Sequence, residues 1–192
     1  MKRNHVKKAF AVAVGCLLLT VSGYAQDLEK GEVEGTGQVG IVTGINTHAS
    51  FAGSVGKAVT DNVFVLGEIG YVPMGGASVS GSSPGGGFSV DAGGRLWTFM
   101  AGAQYQFGQR GYLVPYAGAG LGFVRASGNF SSSVGGSTTN IDFSNTDFYA
   151  SFVGGARYYV KDNWGLKPEL TIFAGSDSFF RFAVGMFYQF GR

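Results

Sequence analysis

The sequence predicts an all-β fold, an eight-stranded antiparallel up-and-down barrel. Three observations predict it: apolar and polar side chains alternate strictly along successive segments, helix-period patterning is missing, and the connections alternate between tight and long. The expected strands run approximately over 35–44, 50–59, 63–73, 95–107, 112–126, 147–160, 165–174 and 179–190. In the last segment Phe180, Phe182, Val184, Met186, Tyr188 and Phe190 share one face, opposite Arg181, Ala183, Gly185 and Gln189. The seventh repeats the pattern, with Leu166, Leu170 and Ile172 opposite Lys167, Glu169 and Thr171. The fourth sets Trp97, Phe99, Ala101, Ala103, Tyr105 and Phe107 against Thr98, Gly102, Gln104 and Gln106.

Thr60-Asp61-Asn62, Gly108 to Gly111 and Lys161-Asp162-Asn163 read as tight turns, with Asn, Asp or Gly at the bend. The links over 74–94 and 127–146 are long and rich in Gly and Ser, and read as loops. All short turns then lie at one end of the meander and the long links at the other, the asymmetry of barrels that cross a membrane. The segment from Gly56 to Glu68 parallels that from Arg157 to Glu169, one hairpin design used twice. Sixteen strands of about 10 residues would consume the chain and leave no loops, whereas eight fit. At that number the interior is just wide enough to fill with side chains.

The amino terminus reads as a secretory signal over residues 1–25. Lys2, Arg3, Lys7 and Lys8 precede an apolar run from Ala9 to Val21, and small residues lead to Ala25. The run is too short and wrongly flanked for a spanning helix. Cys16, after Gly15, has the alternative reading of an acylation site, but the apolar run continues beyond it and a better cleavage site follows. Residues 26–34 read as a short periplasmic segment and 35–192 as the barrel. Removing the four leading cations takes the basic count from 14 to 10 against 12 acids, and no basic patch suggests nucleic acid. The mature chain has no cysteine, hence no disulfide or thiolate metal site. Glycine supplies 34 of 192 residues, but it alternates with Phe, Tyr, Val and Leu, which disordered chains lack.

Alternation does not by itself separate a membrane barrel from a soluble secreted one. Each well-read strand carries an apolar face long enough for a tilted crossing, about 9–11 residues. The charged residues Glu68, Arg157, Lys167, Glu169 and Arg181 fall on the opposite face, and Gly118, Gly120 and Gly122 suit a crowded lumen. Aromatics gather near strand ends. Tyr71, Trp97, Phe123, Phe148 and Phe180 lie toward the long links, and Tyr105, Phe107, Tyr158, Trp164, Tyr188 and Phe190 toward the short turns. Two such girdles mark two lipid–water interfaces, so the barrel is read as transmembrane. Lys57 lies in a strand readable in either parity. Facing out, it would snorkel at an interface.

The stretches Pro115 to Phe123 and Gly154 to Leu166 resemble the small outer-membrane β-barrel proteins of the opacity and OmpX type, a resemblance covering nearly all of the mature chain. Gly185, Tyr188 and Phe190 are similar to that family's C-terminal assembly signal, although Gly191 and Arg192 follow where the family ends on the aromatic residue. The resemblance implies the bacterial outer membrane as location, with membrane lipid, lipopolysaccharide and the barrel-insertion machinery as partners. It specifies a fold far better than a function.

Motifs with chemical meaning are few. Gly35 to Gly40 spells a dinucleotide fingerprint, but it opens a strand and no βαβ unit follows. Asn129-Phe130-Ser131 reads as an incidental glycosylation triplet. Asp142 and Asp147, assigned to the third outer loop, are the residues to weigh for a hard cation, and solvated loop acids are the simpler reading. His48, the only histidine after the signal, stands beside Ser50 in the first outer loop, but no serine elbow or orienting acid accompanies it. No catalytic, cofactor or metal site is therefore expected. Glu68, Arg157, Lys167, Glu169 and Arg181 must pair within a low-dielectric lumen, as a structural plug or as a gate. The expected function is a non-enzymatic anchor that displays outer loops for envelope integrity or for contact with surfaces or host molecules. A narrow channel for ions or small solutes is the alternative, and an outer-leaflet lipid hydrolase a remote one.

Overall fold

The computed structural model describes residues 30–44, 47–83, 86–107, 112–134 and 137–190. The signal segment and the Gly108 to Gly111 turn lie outside them. Eight strands follow in order: β1 (Val33–Thr43), β2 (His48–Ala58), β3 (Val63–Ser83), β4 (Gly86–Gln106), β5 (Leu113–Val134), β6 (Ser137–Lys161), β7 (Trp164–Gly175) and β8 (Phe179–Phe190). Each pairs antiparallel with its sequence neighbours, and β1 pairs with β8 from Val33 opposite Phe190 to Thr43 opposite Phe180. The ring is closed and has no edge along its wall.

Alternation dictates the two faces. In β8 Phe179, Arg181, Ala183, Gly185, Phe187 and Gln189 are buried, and their neighbours Phe180 to Phe190 are exposed. Lys57 is exposed and stands opposite Val33 and Val65, at the turn end of the outward face. The Thr60 turn is held locally: Thr60 Oγ1 accepts from the amides of Asn62 (3.3 Å) and Val63 (3.0 Å). Asn62 also ties the turn to β4, its carbonyl accepting from the Gln106 amide at 2.8 Å.

Two expectations are corrected. The links over 74–94 and 127–146 are mostly strand: β3 runs on to Ser83, β4 starts at Gly86, β5 reaches Val134 and β6 starts at Ser137. Pro73, which reads as a stop, is passed by a bulge in which the register shifts between Pro73 and Gly76, with Gly75 at a φ of 73°. Asp142 and His48, assigned to loops, therefore lie in strands β6 and β2, and Asp147, the first residue of the expected sixth strand, lies well inside β6. The segment 26–34 also ends differently, because β1 begins at Val33 and takes Glu34 into the wall.

A strand of 21 residues spans about 70 Å, whereas a tilted crossing needs about 9–11 residues. The outer parts of β3 to β6 therefore stand clear of a bilayer as one projecting four-stranded sheet, with β4 and β5 in unbroken register from Gln106 opposite Tyr116 to Phe88 opposite Val134.

Candidate functional site

The five charged residues expected in the lumen are all buried there, and a sixth joins them. Glu34 of β1 accepts from Arg157 Nε at 2.9 Å and Nη2 at 3.2 Å, and Lys167 Nζ lies 3.5 Å away. Gln189 Nε2 donates to the same carboxylate at 3.3 Å, while Arg157 Nη2 also reaches Gln104 Oε1 at 3.1 Å. A second group forms around Arg181, which clasps Glu68 with both terminal nitrogens (2.7 and 3.0 Å) and reaches Glu169 at 3.3 Å. Tyr116 donates to Glu169 at 2.7 Å, and Lys167 lies 4.0 Å from that carboxylate, joining the two groups. Within this network Glu34, Glu68 and Glu169 meet Arg157, Lys167 and Arg181, and a further acid, Glu32, is buried on the same face two residues before Glu34. The faces of Phe64 and Tyr116 receive Arg157, at 5.2 and 4.8 Å.

Apolar layers bracket this network. Toward the projecting sheet Val42, Val72, Leu96, Tyr149, Phe173 and Phe179 close the lumen, with Phe173 and Phe179 stacked at 4.4 Å. Toward the turns Val114, Tyr159 and Phe187 form one cluster and Ala58, Phe64 and Leu66 another. Between the layers, free space lies beside Thr36, Ser54, Glu68, Met100 and Tyr149.

The remaining sequence-predicted positions lie on the wall. Tyr71 packs on Trp97 at 4.8 Å, and Tyr105 on Phe107 at 5.3 Å. Tyr158 is exposed, and Trp164 is half-buried opposite Tyr188. Gly185 faces inward, where an added Cβ would meet Gln38 and Thr36 side-chain carbons at 2.8 and 3.0 Å. Tyr188 and Phe190 face outward with their rings 4.8 Å apart. Asp142 stands opposite Asn129 and Asp147 opposite Val124, on opposite faces of one strand, so they do not converge on a cation. Ser50 Oγ is buried without a hydrogen-bond partner, so it is not joined to His48.

The polarity of the two faces inverts where the sheet leaves the barrel. Below Trp97 the outward face is apolar and the lumenal face polar. Above it, the outward face carries Ser89, Asp91, Arg95, Ser127, Asn129, Ser131, Thr138, Asn140, Asp142 and Ser144. The face continuous with the lumen carries Val79, Phe88, Val90, Phe130, Val134, Ile141 and Phe143, and all of these except Val90 are exposed. This surface escaped the sequence reading because Gly and Ser dominate its composition. The alternation of these apolar residues with Ser, Asn and Asp was the available signal.

A closed eight-stranded ring with an apolar outward face and a lumen of paired charges defines a membrane β-barrel. Residues 11–190 match the family model of the outer membrane protein beta-barrel domain, and the chain belongs to that family. Among solved structures it is similar to Ail, the attachment invasion locus protein of Yersinia pestis (16% identity, 84% of this chain and 100% of that one, TM-score 0.57). It is also similar to Neisserial surface protein A (18%, 83% and 96%, TM-score 0.56) and to the N-terminal β-barrel domain of Pseudomonas aeruginosa OprF (21%, 84% and 98%, TM-score 0.51). At these identities the likeness shows the fold alone. A search of curated proteins returned no match.

Proposed function

We propose that the chain is a non-enzymatic outer-membrane anchor, exported through a cleaved signal over residues 1–25, whose projecting sheet makes contact with surfaces, host molecules or other envelope components. One observation carries this reading: above the girdle an ordered sheet exposes Val79, Phe88, Phe130, Val134, Ile141 and Phe143 on one face. Exposed apolar patches on an otherwise polar structure mark interaction sites. The Yersinia pestis relative in fold is named for attachment and invasion, which agrees in kind with a contact role. The test compares cells carrying the full protein with cells carrying a version in which 75–94 and 127–146 are each replaced by a short turn. Adhesion to host-cell or matrix-coated surfaces should fall to the level of cells lacking the protein while the barrel stays heat-modifiable. Undiminished adhesion refutes the reading.

A second reading, a narrow channel, rests on the space beside Thr36, Ser54 and Glu68 and on the buried Gln38 amide, neither polar atom of which has a protein partner. Conductance in planar bilayers tests it. Discrete steps from the wild-type protein support it, and a silent bilayer holding folded protein removes it.

A further inference from the structure

We propose that Arg95 and Arg125 form a clamp for the phosphate of an outer-leaflet phosphoglycolipid whose acyl chains lie on the aromatic wall below. The proposal rests on the outer-membrane reading and adds a site to it. Strand parity puts both residues on the outward face. Arg125 stands directly opposite Trp97, and Arg95 opposite Ser127. They are therefore diagonal neighbours on adjacent strands, roughly 7–8 Å apart at the backbone, near enough for both guanidinium groups to reach one phosphate.

Both side chains are exposed, and neither forms a salt bridge among the described residues; Arg95 Nε donates to Ser127 Oγ at 3.2 Å. Of the arginines and lysines described, these two alone face outward at the end bearing the projecting sheet, since Lys30, Lys57 and Lys161 lie at the turn end. Arginine presents a planar fork that matches phosphate oxygens two at a time.

The floor beneath them is apolar. A groove of about 460 Å³ runs from Arg95, Arg125 and Ser127 down onto Trp97, Phe99 and Phe123. Phe99 and Phe123 stack at 4.9 Å, and Trp97 lies 6.5 Å from Phe99. Above, a second groove of about 660 Å³ shares Arg95 and Ser127 and adds Asn129, Asp142 and Ser144, hydrogen-bonding groups suited to sugar hydroxyls. Asp142 and Asp91 share this face but sit one and two residue rows further out, so an anion is favoured at the arginine level alone. Cations directly above an aromatic girdle lie at the depth of lipid headgroups. A soluble anion would make no use of the apolar floor.

The experiment uses the full mature protein folded into phosphatidylcholine nanodiscs, in a Trp164→Phe background so that Trp97 reports from the groove. Diphosphoryl lipid A should change Trp97 emission saturably. Arg95→Gln with Arg125→Gln should weaken that binding by at least about tenfold, as expected for losing charge-assisted hydrogen bonds. The paired Arg→Lys variant should fall between, and Lys57→Gln should match the parent. Dephosphorylated lipid A should bind the parent as weakly as the Gln pair binds lipid A. Heat-dependent gel mobility certifies that each variant is folded. Equal lipid A binding by parent and Gln pair overturns the clamp and leaves the outer-membrane placement intact. Displacement of lipid A by millimolar inorganic phosphate, or tighter binding of a soluble sulfated saccharide, overturns the lipid assignment. Failure of the parent to enter nanodiscs would overturn the membrane placement itself.

Discussion

Replacing Arg181 with leucine tests whether the lumenal pairs hold the barrel together. Arg181 gives Glu68 two contacts, at 2.7 and 3.0 Å, and no other described residue pairs with that carboxylate. Glu169 loses one contact at 3.3 Å but keeps Tyr116 at 2.7 Å and Thr171 at 3.1 Å. Glu68 is therefore the stranded group, although Glu169, on the neighbouring strand, is the partner that sequence order suggests. Leaving a buried charge without its partner costs about 3–5 kcal/mol. At a urea slope of about 2 kcal/mol/M, the unfolding midpoint of protein folded in vesicles should drop by roughly 1.5–2.5 M. Adding Glu68→Gln removes the stranded charge and should restore about half of the loss. Adding Glu169→Gln should restore clearly less, because that acid still has donors. Completing the double-mutant cycle isolates the pair energy. A midpoint unchanged by Arg181→Leu, or equal rescue by the two glutamine changes, refutes the pairing scheme.

Phe182→Arg, one residue away but exposed and opposite Leu170 and Ile41 on the outward face, should cost roughly 2–4 kcal/mol in vesicles, less near an interface; wild-type stability would mean that the faces of β8 are reversed. Glu34→Gln leaves Arg157 with Gln104 alone for strong acceptance and should lower the urea midpoint about as much as Arg181→Leu, whereas a tolerant site would show that β1 does not close the network. Unheated protein should migrate faster than boiled protein on SDS gels, and identical mobility would argue against a closed barrel. Protease added to intact cells should nick first within 74–94 or 127–146, and first cuts at Asp61 or Asp162 would invert the topology.

The wall was legible wherever large side chains alternate, as in β4, β7 and β8, because burial on one side and lipid on the other both demand the period of two. Strand β1 was harder to delimit. Its outward positions include Gly35 and Gly37, so no apolar beat announces its start, although Glu32, Glu34, Thr36 and Gln38 repeat every second residue and are all buried. The hairpin extensions were hidden by composition and by Pro73-Met74-Gly75, which reads as a terminator until a bulge is admitted. Arg95 and Arg125 lie 30 positions apart in sequence, and only the β4–β5 register brings them together.

The projecting sheet carries an energetic argument of its own. Joining neighbouring strands takes about 2–5 residues, yet each of the two outer hairpins adds many more. Ordering each extra residue costs about 1–2 kcal/mol of backbone entropy. Within a packed domain burial would offset this, but the outer part of β6 is exposed on both faces from Ser137 to Thr146. Among the described residues its far edge has no partner either, since β7 pairs with β6 only as far as Tyr149 opposite Gly175, and the edge of β3 is likewise open, since β2 pairs with it only as far as Tyr71 opposite Phe51. Two free edges and an uncovered apolar face form the surface that a second body stabilises by adding a strand or covering the face. The lumen offers less to a second body, because Glu34, Glu68 and Glu169 are already paired with Arg157, Lys167 and Arg181. The physical case for function therefore rests on the part of the chain that leaves the barrel, with the arginine pair at its base fixing the depth at which it stands.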